Sequence, residues 1–112
     1  MSAVHDELEV RLTCTGSAVR VHVAGELDLA AVPTLGRALA GAHEAAEGDV
    51  EIDLAAASFC DSAGLCALLA AHQDFRDVGR TLRLVNPGPA VVRVLELTGT
   101  TGVFDVRADH SG

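Results

Sequence analysis

The sequence has no lysine, no tryptophan and no tyrosine, and only three phenylalanines and three cysteines. Each shortage excludes something. The missing lysines leave eight arginines against sixteen acidic residues, a net charge of −8. Such a surface repels nucleic-acid phosphates, so a nucleic-acid binder is not expected. It suits a partner with a basic face. The shortage of aromatics means that any core must be aliphatic. The chain is 49% hydrophobic, enough for a real core and too much for a disordered segment. Cys14, Cys60 and Cys66 are odd in number and scattered, so they make no disulfide framework. His5, His22, His43, His72 and His110 are spread singly and fit no zinc spacing. No apolar run approaches the roughly 20 residues of a membrane-spanning helix. The start, MSAVHDELEV, is acidic and has no apolar middle, so it is not a signal peptide. A cytoplasmic protein is expected, with no membrane partner.

What is present is a regular alternation of element types. Residues 8–14, LEVRLTC, and 18–24, AVRVHVA, alternate apolar and polar around Thr15-Gly16-Ser17. They predict an antiparallel hairpin, with Val19, Val21 and Val23 on one face and Arg20 and His22 on the other. Residues 30–46 carry Val32, Leu35, Leu39 and Ala42 at helical spacing, and Pro33 suits the first turn. Residues 50–54, VEIDL, predict a short strand. A turn over 55–61 leads to a second helix over about 62–78, whose inner face is Leu65, Leu68, Leu69, His72 and Phe75. Residues 81–85 predict another strand and 90–97 a third helix, capped by Thr98-Gly99. VFDV at 103–106 is an edge strand or an extended piece, and a polar tail follows. Strands joined by helices should lie parallel. The expected fold is therefore α/β: one domain over residues 1–112, core about 8–106, with a small mixed sheet covered by helices.

Two loops are expected to meet. In parallel α/β units the loops after the carboxyl ends of strands share one edge, where ligands gather. Gly25–Ala31 brings Asp28 to that edge, and Ala55–Ser62 brings Asp61 and Ser62. Asp61 or Ser62 can cap the second helix, and that alone accounts for both residues. The alternative is a presented hydroxyl, with Ala63 and Gly64 leaving room for another molecule. A phosphate there would lie at a helix N-terminus, where free amides and the dipole favour an anion. Asp61 would oppose it. The residues alone leave both readings open. A serine hydrolase is a poorer reading. Ser62 lies outside any G-x-S-x-G, and His72 shares a phase with the inner face. Phosphate-cradling glycine motifs are absent as well.

GELDLAAVPTL followed by VEIDLAAASFCDSAGLCALL resembles the STAS domains of bacterial anti-sigma factor antagonists. Gly25, Glu26, Leu27, Asp28 and Pro33 fill the first part of the family pattern. Phe59, Asp61, Ser62, Ala63, Gly64 and Leu65 fill the second. The likeness runs over roughly 8–106 and implies a switch rather than an enzyme. In such families the unmodified antagonist binds an anti-sigma factor, which then releases its sigma factor. That partner is often a serine kinase, which here would phosphorylate Ser62 and end the complex. A PP2C-type phosphatase resets it. ATP and Mg²⁺ belong to the kinase, so this chain needs no cofactor. The resemblance makes Glu26, Asp28, Asp61, Ser62, Ala63 and Gly64 the expected partner-binding residues. The alternative is a non-switching STAS scaffold, or a module associated with small-ligand or lipid transport. Two departures stand out. Many relatives add a C-terminal helix after the VFDV position, expected here to be missing or very short. Ala63 stands where some relatives carry a second hydroxyl. Cys60 and Cys66 flank the site and are expected as packing residues, with redox sensing an option if Cys60 is exposed.

Overall fold

The structure is a computed structural model and describes residues 8–108. The expected polar start at 1–7, the last four residues, His5 and His110 lie outside that range. The elements follow in the expected order. β1 (Glu9–Thr15) and β2 (Ala18–Leu27) form the hairpin, in register from Glu9 opposite Ala24 to Thr15 opposite Ala18. A 3-10 turn (Leu29–Ala31) leads into α1 (Val32–Ala45). Then come β3 (Val50–Cys60), α2 (Ser62–Asp77), β4 (Leu82–Val85), α3 (Pro89–Thr98) and β5 (Asp105–Arg107). Gly99 ends α3 in the left-handed conformation (φ 69°), which a glycine adopts without strain. VFDV thus contributes Asp105 and Val106 to a true edge strand, which runs one residue further to Arg107.

The five strands lie in chain order, β1-β2-β3-β4-β5. The first pair is antiparallel and the other three are parallel. One sheet face is apolar. Val19, Val21, Val23, Val50, Ile52, Leu54, Leu82 and Leu84 are almost fully buried there. Buried residues of all three helices, among them Leu35, Leu68 and Leu95, join the same cluster. The core is a single aliphatic layer between helices and sheet. The α2 face differs slightly from expectation: Leu69 and His72 are only half-buried, while Ala71 is buried.

The other sheet face is polar. Arg20, Glu51, Arg83 and Asp105 stand opposite one another on successive strands. They alternate in charge and pair at 3.0 Å (Arg20–Glu51), 3.6 Å (Glu51–Arg83) and 2.8 Å (Arg83–Asp105). Each cross-strand pair of this kind adds only about 0.2–1 kcal/mol. Together they reinforce a register that core burial already sets. His22, one row over, is half-buried and sits 3.0 Å from the Thr13 hydroxyl and 3.7 Å from Asp53.

Two strands outrun their predicted length. β3 spans eleven residues, so the expected turn over 55–61 is mostly strand. β2 runs to Leu27, so half of the expected Gly25–Ala31 loop is strand too. Ala24 pairs with Ala56, Gly25 with Ala57, Glu26 with Phe59 and Leu27 with Cys60, with register shifts between His22 and Ala24 and between Gly25 and Glu26. These shifts break the alternation: beyond Leu54 the buried residues of β3 are Ala57 and Cys60, three apart.

α1 and α2 start at the same sheet edge and run back side by side. The His43 and Phe75 rings meet edge to face near their far ends, 5.6 Å apart. Arg80 ties that end, donating to the carbonyls of Gly48 (2.9 Å) and His43 (3.0 Å) and covering the Phe75 ring. Between the helices an apolar groove of about 530 Å³ remains open. Among the described residues no helix is long and apolar enough to cross a membrane.

Candidate functional site

The ends of β2 and β3 carry the site. Leu27 and Cys60 are the last residues of their strands and are paired. The Asp61 amide then donates to the Leu27 carbonyl at 3.1 Å. Asp28 and Asp61 therefore leave neighbouring strands at the same edge, as the loop argument predicts. Each does the same local job. Asp28 Oδ1 accepts from the Ala31 amide at 3.1 Å and caps the 3-10 turn. Asp61 Oδ1 accepts from the Gly64 amide at 2.9 Å and caps α2. Both sit in extended backbone just before a helix, the usual cap conformation.

That assignment shows which of the two residues is the cap. Asp61 is the cap. Ser62 is the first residue of α2 and is exposed. Its hydroxyl makes no hydrogen bond among the described residues. The side chain that could have been explained as a cap is left free of structural duty.

Gly64 is not what the sequence suggests. It was expected to leave room for a visitor, yet it is buried and faces inward. A Cβ there would sit 2.2 Å from the Leu27 carbonyl oxygen and 2.9 Å from its carbon. The glycine lets the first turn of α2 lie directly on the end of β2. Its role at the edge is to hold Ser62 in place, and it offers a partner no surface. Ala63 is half-buried, whereas Glu26 is exposed and stands opposite Phe59.

Two exposed apolar residues at this edge were not among the expected binding residues. Leu29 is 73% exposed and Phe59 43% exposed, both within the segments that build this edge. Phe59 belongs to the family pattern and falls in the segment expected as a turn. The register shift beside it turns it outward, and no local signal announces that shift. Leu29 lies in the segment expected as a loop, and there it opens the 3-10 turn with its side chain exposed. The edge thus combines two exposed apolar side chains with three carboxylates, Glu26, Asp28 and Asp61. Neither segment, 25–31 or 55–62, contains an arginine.

Cys60 is buried, and its thiol is pushed up to about 11, first by burial and then by the Asp61 carboxylate. The condition for redox sensing, an exposed Cys60, is not met. Cys66 is exposed one turn after Ser62. His72 lies ten residues along α2 from Ser62, about 15 Å by helix rise. Its ring packs edge to face on Phe104 at 5.4 Å, and its Nδ1 is buried without a hydrogen bond. No hydrogen bond among the described residues joins a histidine to Ser62. Among those residues no cluster of three or more His, Cys, Asp or Glu could hold a metal ion.

Comparison with known proteins points the same way. The family model described as "Mlab, STAS domain" matches residues 10–106. The anti-sigma-B factor antagonist of Bacillus subtilis (strain 168) is 29% identical over 94 residues, covering 84% of this chain and 85% of that protein. An anti-sigma factor antagonist from Mycobacterium paratuberculosis has a similar solved structure. Its TM-score is 0.77 at 26% identity, with 95% of this chain and 90% of that one covered. The Bacillus cell fate determinant SpoIIAA, solved in its phosphorylated form, gives a TM-score of 0.67 at 26% identity. That match covers 91% of this chain and 93% of the other.

Proposed function

The chain belongs to the STAS domain family, a family of non-enzymatic binding proteins, and on that premise we propose that it is an anti-sigma factor antagonist switched at Ser62. In its unphosphorylated form it binds an anti-sigma factor in the cytoplasm, and the sigma factor held by that partner is released. The anti-sigma factor is itself a serine kinase. It transfers the γ-phosphoryl group of its Mg-ATP to Ser62 Oγ, and the complex dissociates. A PP2C-type phosphatase restores the hydroxyl. Glu26, Asp28, Asp61, Ser62 and Ala63 face the partner; the buried Gly64 sets the position of the serine.

The observation that carries this reading is the division of labour at the start of α2. Asp61 takes the cap, and Ser62 presents an unengaged, exposed hydroxyl. The existence of a relative solved in a phosphorylated form supports it. Physical chemistry supplies the switch. A phosphate adds about −1.5 to −2 charges. It would arrive beside Asp61, whose carboxylate already holds the Gly64 amide. A partner surface matched to a neutral hydroxyl would then meet a crowded dianion. Like-charge juxtaposition in an interface costs several kcal/mol, or orders of magnitude in affinity.

The test uses the host's anti-sigma kinases as purified proteins. Radiolabelled ATP should label the wild type and leave Ser62→Ala unlabelled, and equal labelling of both refutes the site. Ser62→Asp should lose kinase binding in calorimetry; retained nanomolar binding refutes the switch. A second reading, a scaffold or a module of small-ligand or lipid transport, draws on the open apolar groove between α1 and α2. It predicts stable binding to a transporter subunit that Ser62→Asp does not disturb.

A further inference from the structure

β1 and β5 are the outer strands of the sheet, and they are unlike as edges. β5 is three residues long, too short to template another strand. β1 is seven residues long and pairs with β2 without a register shift. Bulges, prolines and lysines are the devices that commonly keep an edge strand from pairing, and β1 has none of them.

The hairpin decides which backbone groups of β1 point outward. Gly16-Ser17 is a two-residue loop, so Thr15 and Ala18 on either side of it form a hydrogen-bonded pair. One residue on, the Val19 amide points away from β1 and donates to the Asp49 carbonyl at 3.1 Å, which fits that phase. Alternation then turns the amides and carbonyls of Thr13, Arg11 and Glu9 toward β2, and those of Cys14, Leu12 and Val10 outward. Side chains alternate between the two faces of the sheet. Val10 and Leu12 pack against the core, so Glu9 and Arg11 stand exposed on the open face. The row Arg20, Glu51, Arg83 and Asp105 on that face is fully paired. Glu9 and Arg11 make no hydrogen bond or ion pair among the described residues.

We infer that β1 pairs antiparallel with β1 of a second copy of this chain, about a twofold axis at Val10, joining two sheets into one. The segment 8–12, LEVRL, is its own complement about that axis. Val10 of one copy faces Val10 of the other, Leu8 faces Leu12, and Glu9 faces Arg11 on both sides of the axis. Val10 directs its backbone groups outward, so the axis falls on a hydrogen-bonded pair, as antiparallel geometry needs. The neighbouring registers are worse. Centring on Glu9 sets glutamate against glutamate, and centring on Arg11 sets arginine against arginine. Centring on Leu12 leaves Arg11 facing Thr13. Charge therefore selects one register among those the backbone could make. The contact is isologous and closes at two copies. Nothing in this pairing depends on the role of Ser62.

Sedimentation velocity of the purified chain, from low micromolar concentration to about 1 mM, reads the association. So short a paired segment lies at the small end of specific interfaces, so a reversible dimer is expected toward the top of that range. Glu9→Arg and Arg11→Glu each set like charges opposite one another and should weaken self-association at least tenfold. Mixed in equal amounts, these two variants should dimerise with each other as well as the wild type does, since each supplies the charge the other lacks. The double variant Glu9→Arg/Arg11→Glu should regain wild-type self-association. Val10→Pro removes an amide that points outward and should abolish the dimer while sparing the bonds to β2. Positions 9 and 11 are exposed, and circular dichroism verifies that each variant folds. The charge variants carry the test whether or not Val10→Pro folds. A wild type that stays monomeric at about 1 mM overturns the inference. So does a dimer that neither charge reversal weakens, or one that the equal mixture fails to restore, since either result places the contact elsewhere.

Discussion

Replacing Gly64 with alanine tests how Ser62, the serine proposed as the switch, is held. In an exposed helix interior, Gly→Ala stabilises by roughly 0.5–1 kcal/mol, because alanine loses less backbone entropy on folding. At Gly64 the sign should reverse. The new Cβ would lie 2.2 Å from the Leu27 carbonyl oxygen, and that atom belongs to a strand backbone and cannot swing aside. Restoring ordinary contact requires α2 and the end of β2 to separate by about 1 Å, and overpacking of this kind costs about 1–3 kcal/mol. For a domain of this size the melting temperature should fall by roughly 4–12 °C. Separation would also stretch the bond from the Asp61 amide to Leu27, now 3.1 Å. The proposed phosphorylation of Ser62 should therefore slow more than stability alone explains. Gly36→Ala is the matched control. It lies within α1 with nothing within 4 Å of the added Cβ, so it should raise the melting temperature by roughly 2–4 °C. Thermal unfolding followed by circular dichroism reads both. A Gly64→Ala protein as stable as the wild type would refute the close-packing argument.

Three other outcomes follow from the same geometry. Asp61→Ala removes the α2 cap and should cost about 1 kcal/mol, measured by urea unfolding; Ser62→Ala should cost much less, since Ser62 caps nothing. Alkylation by iodoacetamide at pH 8, read by mass spectrometry, should modify Cys14 and Cys66 quickly and Cys60 only on unfolding, because Cys60 is buried and its thiol titrates near 11. The Arg83 guanidinium, and next Arg107, hold the Asp105 carboxyl below its ordinary value of 3.8. A depressed acid stabilises the fold above that ordinary value and loses its contribution as pH falls below it. Asp105→Asn should therefore flatten the acid limb of stability below about pH 4, with a small effect at neutral pH where an exposed pair contributes about 0.2–1 kcal/mol.

The order of elements was legible because it rests on periodicity. Alternation in 8–14 and 18–24 and the three-to-four spacing in 30–46 and 62–78 express burial on one face directly. The lengths of β2 and β3 were not. Ala55-Ala56-Ala57-Ser58 is poor in β-branched residues and reads as a turn, but pairing with Ala24–Leu27 carries the strand on to Cys60. The same pairing, with its two register shifts, decides what faces outward, so Phe59 could not be placed by phase. The convergence of Asp28, Asp61 and Ser62 was readable from the crossover rule. The choice between cap and free hydroxyl was not, since aspartate and serine are both good caps and only coordinates show which one bonds the Gly64 amide. Gly64 departs from expectation for a related reason: a glycine needed for contact and one that leaves space look alike in a sequence.

The alternating row on the open sheet face also bears on how a partner arrives. Arg20, Glu51, Arg83 and Asp105 cancel one another there, while the strand ends hold three carboxylates with no arginine in their segments. Charge is therefore paired along that row and left without a cationic partner among the described residues at the rim. A basic protein drifting past would be turned toward that rim before any contact forms. Raising the salt would then slow the encounter and leave the lifetime of the formed complex nearly unchanged.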